Sequence, residues 1–163
     1  MTDRALQEVV VPVDQYSITQ QDVVFVARLQ GSLALCIGDE VHESGALLHM
    51  QAGRPGRVKD PELTDNTLSS DLLLLDRCMV ELKRSEPRAK HWQARFVGHS
   101  DIEAGGRERL LAIQSFVEAF LDDAGIRLVS SAAHDGAPQL LRFRAALGQL
   151  SCDPLPSESR QGR

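Results

Sequence analysis

Four short apolar runs crowd the first fifty positions of the chain: Val9 to Val13, Val23 to Arg28, Leu33 to Ile37 and Gly45 to Met50. Each is five or six residues long, rich in β-branched or aliphatic side chains and bounded by polar turn residues. Such runs are too short for a helix that buries a face and suit strands of a sheet. A sheet of this kind has apolar faces to cover, so the remainder of the chain must supply the cover.

The connection from Gln51 to Pro61 carries Gly53, Pro55, Gly56 and Pro61 and reads as a loop, because these residues either supply unusual φ values or fix φ. Beyond it, Leu72, Leu75, Met79 and Leu82 recur at helical spacing, and Ser69, Ser70 and Asp71 are expected to cap the first turn. Trp92 to Val97 alternates in part, as a strand does. Leu110, Ile113, Val117 and Phe120 then line one face of a second helix, with Gly125 as its left-handed stop. Ile126 to Ser130 and Gln139 to Phe143 read as closing strands. The expected fold class is α/β, a single-domain layered sandwich with mixed sheet or sheets covered by two main helices.

With 163 residues, 42% of them hydrophobic and 25% charged, the chain can bury one core but not two comfortable ones. Residues 9–150 are expected to form the domain. Residues 1–8 and 151–163, which are polar or mix Pro, Ser and charge, are expected to be flexible ends. A net charge of -5 with scattered Lys and Arg leaves no electrostatic footprint for nucleic acid, and points to a protein or soluble partner. The three cysteines, Cys36, Cys78 and Cys152, have neither disulfide-framework nor CxxC spacing, which fits a reducing cytoplasm. No export signal or membrane insertion is expected from the start of the sequence or from its apolar runs.

The segment Arg28-Leu-Gln-Gly-Ser32-Leu-Ala-Leu-Cys-Ile-Gly-Asp39 resembles the signature of the bacterial chemoreceptor glutamine deamidase (CheD) family. In that signature a glycine turn delivers a cysteine at the head of an apolar strand ending in aspartate, and Ser32 occupies the cysteine position. Gly45-Ala-Leu-Leu-His49-Met is similar to the family's second signature, which ends on the catalytic histidine, and the interval from Ser32 to His49 is the family's own. A third block, Ala104-Gly-Gly-Arg-Glu108 leading into the second helix and then Ala124-Gly-Ile-Arg-Leu-Val129, resembles the family's Ile-Gly-x-Arg-Asn turn with its helix and next strand. Gly105 and Arg107 match, whereas Glu108 replaces asparagine. The resemblance spans roughly Val9 to Phe143. Three departures stand beside it: Val26 where the family carries a catalytic threonine, Val97-Gly-His-Ser100 in place of a Gly-Gly-Ala segment, and His134-Asp-Gly-Ala-Pro138 in place of a Gly-Asn-Arg-Gly-Arg segment.

The resemblance implies a CheD-like chemotaxis protein that acts on or binds chemoreceptor cytoplasmic helices, with a CheC-type phosphatase as a further partner and no cofactor. It casts Ser32 as nucleophile and His49 as general base and acid. A cysteine thiol, with a pKa of about 8.5, is within reach of a neighbouring histidine as a thiolate, but a serine hydroxyl must lose its proton during attack. That demands a ring held in one tautomer by a third group, together with an oxyanion hole, expected at the amides around Gly31 and Ser32. With Val26 unable to hydrogen-bond through its side chain, the resemblance implies receptor-glutamine deamidation that is weak or lost. The alternative is an active protein-glutamine amidohydrolase using Ser32 and His49.

Other residues carry plainer readings. Taking Cys36 as the nucleophile would break the interval to His49 and move the thiol about 13 Å along a strand, at ~3.3 Å per residue. Cys36 and Cys78 are expected to pack as small hydrophobes. His42, His91, His99 and His134 show no metal-ligand spacing and are expected on surfaces or loops. Arg54, Arg57 and Lys59 are either a solvated face or a grip for an acidic partner. Gly105 to Arg107 either starts a helix or cradles an anion.

Overall fold

The computed structural model describes residues 6–51, 66–100 and 106–155. In chain order its elements are strands β1 (Glu8–Val10), β2 (Gln15–Thr19), β3 (Val24–Leu29), β4 (Ser32–Asp39) and β5 (Ser44–Gln51), helix α1 (Asn66–Ser85) and strand β6 (Gln93–Ser100). Helix α2 (Gly106–Ala124) and strands β7 (Arg127–Asp135), β8 (Gln139–Arg144) and β9 (Gln149–Pro154) complete it, with a 3-10 turn at Ala145–Leu147 before the last strand. The strands form two sheets, of order β1-β3-β8-β9 and β2-β5-β4-β6-β7. Both are mixed: β1 runs parallel to β3 and β7 parallel to β6, and the other pairs are antiparallel. The chain is an α/β fold, as its pattern predicts.

Period-two alternation decides how the layers stack. Leu33, Leu35 and Ile37 of β4, Ala46, Leu48 and Met50 of β5, and Ala94 and Phe96 of β6 pack with Leu75, Cys78, Met79 and Leu82 of α1 and Leu110, Val117 and Leu121 of α2. The intervening residues Ala34, Cys36, Leu47 and Val97 face the other way, onto Phe25, Ala27, Leu29, Leu141 and Phe143 of the four-stranded sheet. The central strands β5, β4 and β6 of the five-stranded sheet are therefore buried on both faces, between the two helices and the second sheet. This explains why β4 reads as an unbroken apolar run, with every residue from Ser32 to Asp39 buried.

Several expectations change in detail. Helix α1 begins at Asn66, so Ser69 and Ser70 sit inside its first turns and Asp71 comes after them, and none of the three precedes the helix as a cap. Val11 to Val13 leave the first strand, which ends at Val10. Strands β2 and β9 are additions that the apolar pattern does not predict. Strand β9 carries pairing with β8 as far as Pro154, past residue 150. The stop of α2 is as expected, with Gly125 at φ 73°. The loop from Gln51 to Pro61, with Arg54, Arg57 and Lys59, falls almost wholly outside the described residues. Arg107, at the start of α2, pairs with Asp135 at 3.6 Å on the surface.

Candidate active site

Register brings Ser32 and His49 together. Strands β4 and β5 pair antiparallel with Ser32 opposite Gln51 and Ala34 opposite His49, so Ser32 and His49 are diagonal neighbours across the ladder. By the same alternation both point toward the four-stranded sheet, on the face of Ala34 and Cys36. Each is 3% exposed. The Ser32 Oγ lies 2.8 Å from His49 Nε2.

The ring is held from its other side. His49 Nδ1 lies 2.8 Å from the main-chain carbonyl of Val11. A carbonyl only accepts, so Nδ1 carries the proton and Nε2 is left as the acceptor for the Ser32 hydroxyl, the tautomer a general base requires. Val11 is itself fixed, since its N–H donates to the carbonyl of Val26 at 2.9 Å. Val26 thus contributes through its backbone, one step removed from the histidine. Burial holds the His49 pKa below its usual value, against the opposing pull of the Val11 carbonyl and of Asp14, so the ring is mostly neutral at pH 7.

Ser32 follows a tight turn. Gly31 takes φ 64°, a left-handed conformation that costs glycine little, and delivers Ser32 into the first position of β4. The Gln30 amide donates to Ser32 Oγ at 3.2 Å, a contact that would favour negative charge on that oxygen. The Gly31 amide is not open, because it donates to His99 Nδ1 at 2.9 Å. The expected oxyanion donor at Gly31 is therefore engaged in this structure.

His99 departs from the expectation of a surface or loop position. It lies in β6, is 1% exposed, and its Nε2 reaches the Gly136 carbonyl at 3.0 Å. A signal existed: continuing the alternation of β6 past Val97 puts residue 99 on the face shared with Ser32 and His49. The other three histidines fit the expectation more closely. His91 is exposed, His42 sits in the β4–β5 turn beside Asp39, and His134 is half-buried on the edge strand β7.

The three cysteines are free thiols, with Cys78 in the helix-side core and Cys36 in the core between the sheets. Cys36 and Cys78 are buried, and burial pushes both thiols up, Cys78 to about 12. Among the described residues no group of three or more His, Cys, Asp or Glu side chains comes together as a metal site, and no helix is long and apolar enough to cross a membrane.

A buried Ser–His pair at the interval Ser32 to His49, on adjacent strands of a layered α/β domain, is the setting for comparison with known proteins. The chain is similar to a probable chemoreceptor glutamine deamidase CheD. That protein, from Methylobacillus flagellatus, is 23% identical over 140 residues, which cover 83% of this chain and 68% of the CheD protein. No family model matches the chain. The similarity to CheD agrees with the resemblance carried by the short motifs.

Proposed function

We propose that this protein engages chemoreceptor cytoplasmic domains as a CheD-like factor and hydrolyses a receptor glutamine side-chain amide slowly, with Ser32 as nucleophile and His49 as general base and acid. The observation that carries this reading is the line Ser32 Oγ to His49 Nε2 to Val11 carbonyl, with both bonds at 2.8 Å. In the first half-reaction Oγ bonds to the amide carbon while Nε2 takes the hydroxyl proton. The imidazolium then gives that proton to the leaving nitrogen, ammonia departs, and a glutamyl ester of Ser32 remains. In the second half-reaction water attacks the ester carbon, losing a proton to Nε2. Collapse returns that proton to Oγ and releases glutamate.

Turnover is slow in this reading for two reasons. A serine hydroxyl is far less acidic than the thiol in the CheD signature, and the Gly31 amide already has a partner in His99. The second reason also favours the other reading, a receptor-binding protein without turnover, whose further contacts include a CheC-type phosphatase. One experiment separates them. Glutamine-bearing chemoreceptor cytoplasmic domains are incubated with wild type, Ser32→Cys and His49→Ala, and ammonia release and the amide-to-acid mass change are monitored. Slow wild-type turnover that vanishes in His49→Ala is the expected result. Binding with no turnover in wild type, together with a gain in Ser32→Cys, overturns catalysis by Ser32 and leaves the binding reading.

A further inference from the structure

The geometry points to His99 as a positioning residue for the nucleophile turn: its ring ties the Gly31 amide to the Gly136 carbonyl, so that the turn before Ser32 and the turn between β7 and β8 are held as one unit. Three adjacent strands of the five-stranded sheet, β5, β4 and β6, carry His49, Ser32 and His99 on one face. The two histidines are fixed in opposite tautomers. The Gly31 N–H can only donate, so His99 Nδ1 is the acceptor, and the proton on Nε2 is given to the Gly136 carbonyl. In His49 it is Nδ1 that carries the proton.

The bridge also links two segments in which this chain departs from the CheD pattern, Val97-Gly-His-Ser100 and His134-Asp-Gly-Ala-Pro138. A histidine at 99 needs an acceptor for Nε2–H once it is buried, and the left-handed glycine at 136 turns its carbonyl toward that nitrogen. The two departures are one physical device. Its consequence at the nucleophile rests on the Ser32–His49 reading above: a turn pinned through the Gly31 amide keeps Oγ at its distance from Nε2 and withholds that amide from a substrate oxygen.

The test uses two substitutions that split the bridge. His99→Asn keeps an acceptor where Nδ1 lies, within reach of Gly31, and loses Gly136. His99→Gln keeps a donor where Nε2 lies and loses the acceptor for Gly31. Hydrogen exchange at the Gly31 amide, read by NMR, is expected to accelerate by roughly tenfold or more in His99→Gln and to stay close to wild type in His99→Asn. For the consequence at the nucleophile, Ser32→Cys serves as a reporter, its alkylation by iodoacetamide measured by peptide mass against pH. The introduced thiol should react with a profile shifted below the free-cysteine value of about 8.5. Adding His99→Gln should return the profile toward that value, and adding His99→Asn should not.

Unchanged Gly31 exchange in His99→Gln overturns the proposal, as does a wild-type ring whose 15N shifts put the proton on Nδ1. The latter measurement needs no variant and stands even if a substituted protein fails to fold. An unshifted profile in Ser32→Cys alone counts against the Ser32–His49 pairing, and the Gly31 exchange still decides the role of His99.

Discussion

Among the described residues His49 Nε2 accepts the proton of the Ser32 hydroxyl, and in the proposed reaction the basicity of that nitrogen sets the pH behaviour. Burial lowers the His49 pKa, so for hydrolysis kcat/KM should rise with pH through a value below the ordinary histidine figure of about 6.5 and be level by neutrality. A rate limb centred above that figure would contradict His49 as the base. Stability has the same sign. The unfolded chain binds a proton at His49 more readily than the native one, so acidification through about 6.5 and down to the native pKa removes stability. His49→Gln should flatten that part of the stability profile. The proximity of Ser32 and His49 is foreseen by the family resemblance, but the Val11 carbonyl is not, since a backbone oxygen leaves no residue-type signature.

At the level of elements, the turn between β4 and β5 shows what the motif residues around the site are for. Asp39 is buried, which pushes its carboxyl pKa up. The amide of His91, with the amides of His42 and Val41 and the His42 ring, outweighs this and holds it below the usual carboxylate range. Replacing the carboxylate by Asp39→Ala should destabilise the protein by about 1–3 kcal/mol, measured by urea unfolding at pH 7, because three main-chain donors lose their acceptor. The stability it gives is present above the unfolded Asp pKa and lost as pH falls through the native one. Gly45, in the second motif, has no room for a side chain: an added Cβ would collide with the Ala145 Cβ and lie 2.7 Å from the Ile37 carbonyl oxygen. Gly45→Ala should cost about 1–3 kcal/mol by the same measurement. Elements with strong apolar periodicity are readable in advance, whereas β2 and β9 are not. Both are edge strands with half-exposed, mixed residues, held by main-chain pairing and, for Tyr16 of β2, by its hydroxyl bond to Glu81. Such strands are specified by the neighbour they pair with more than by their own pattern.

Across the whole molecule, the five-stranded sheet belongs to both apolar layers, so disturbing either layer should be felt by the other. Phe25→Ala, between the sheets, should destabilise by about 3–5 kcal/mol, and Leu35→Ala, on the helix side, by about 2–5 kcal/mol. Both should shift a single denaturation transition that is the same by far-ultraviolet circular dichroism and by Trp92 fluorescence. Two separated transitions would argue against residues 9–150 acting as one cooperative unit. The site sits where this shared sheet meets the segment after β1, and its ring is oriented by that segment's main chain. The oxygen that fixes His49 is therefore present whatever side chain stands at position 11. In the proposed reaction, a substitution at position 32 changes the nucleophile and is expected to leave the ring beside it in the same orientation. In variants at position 32 the 15N shifts of the ring should therefore report the same tautomer as in wild type.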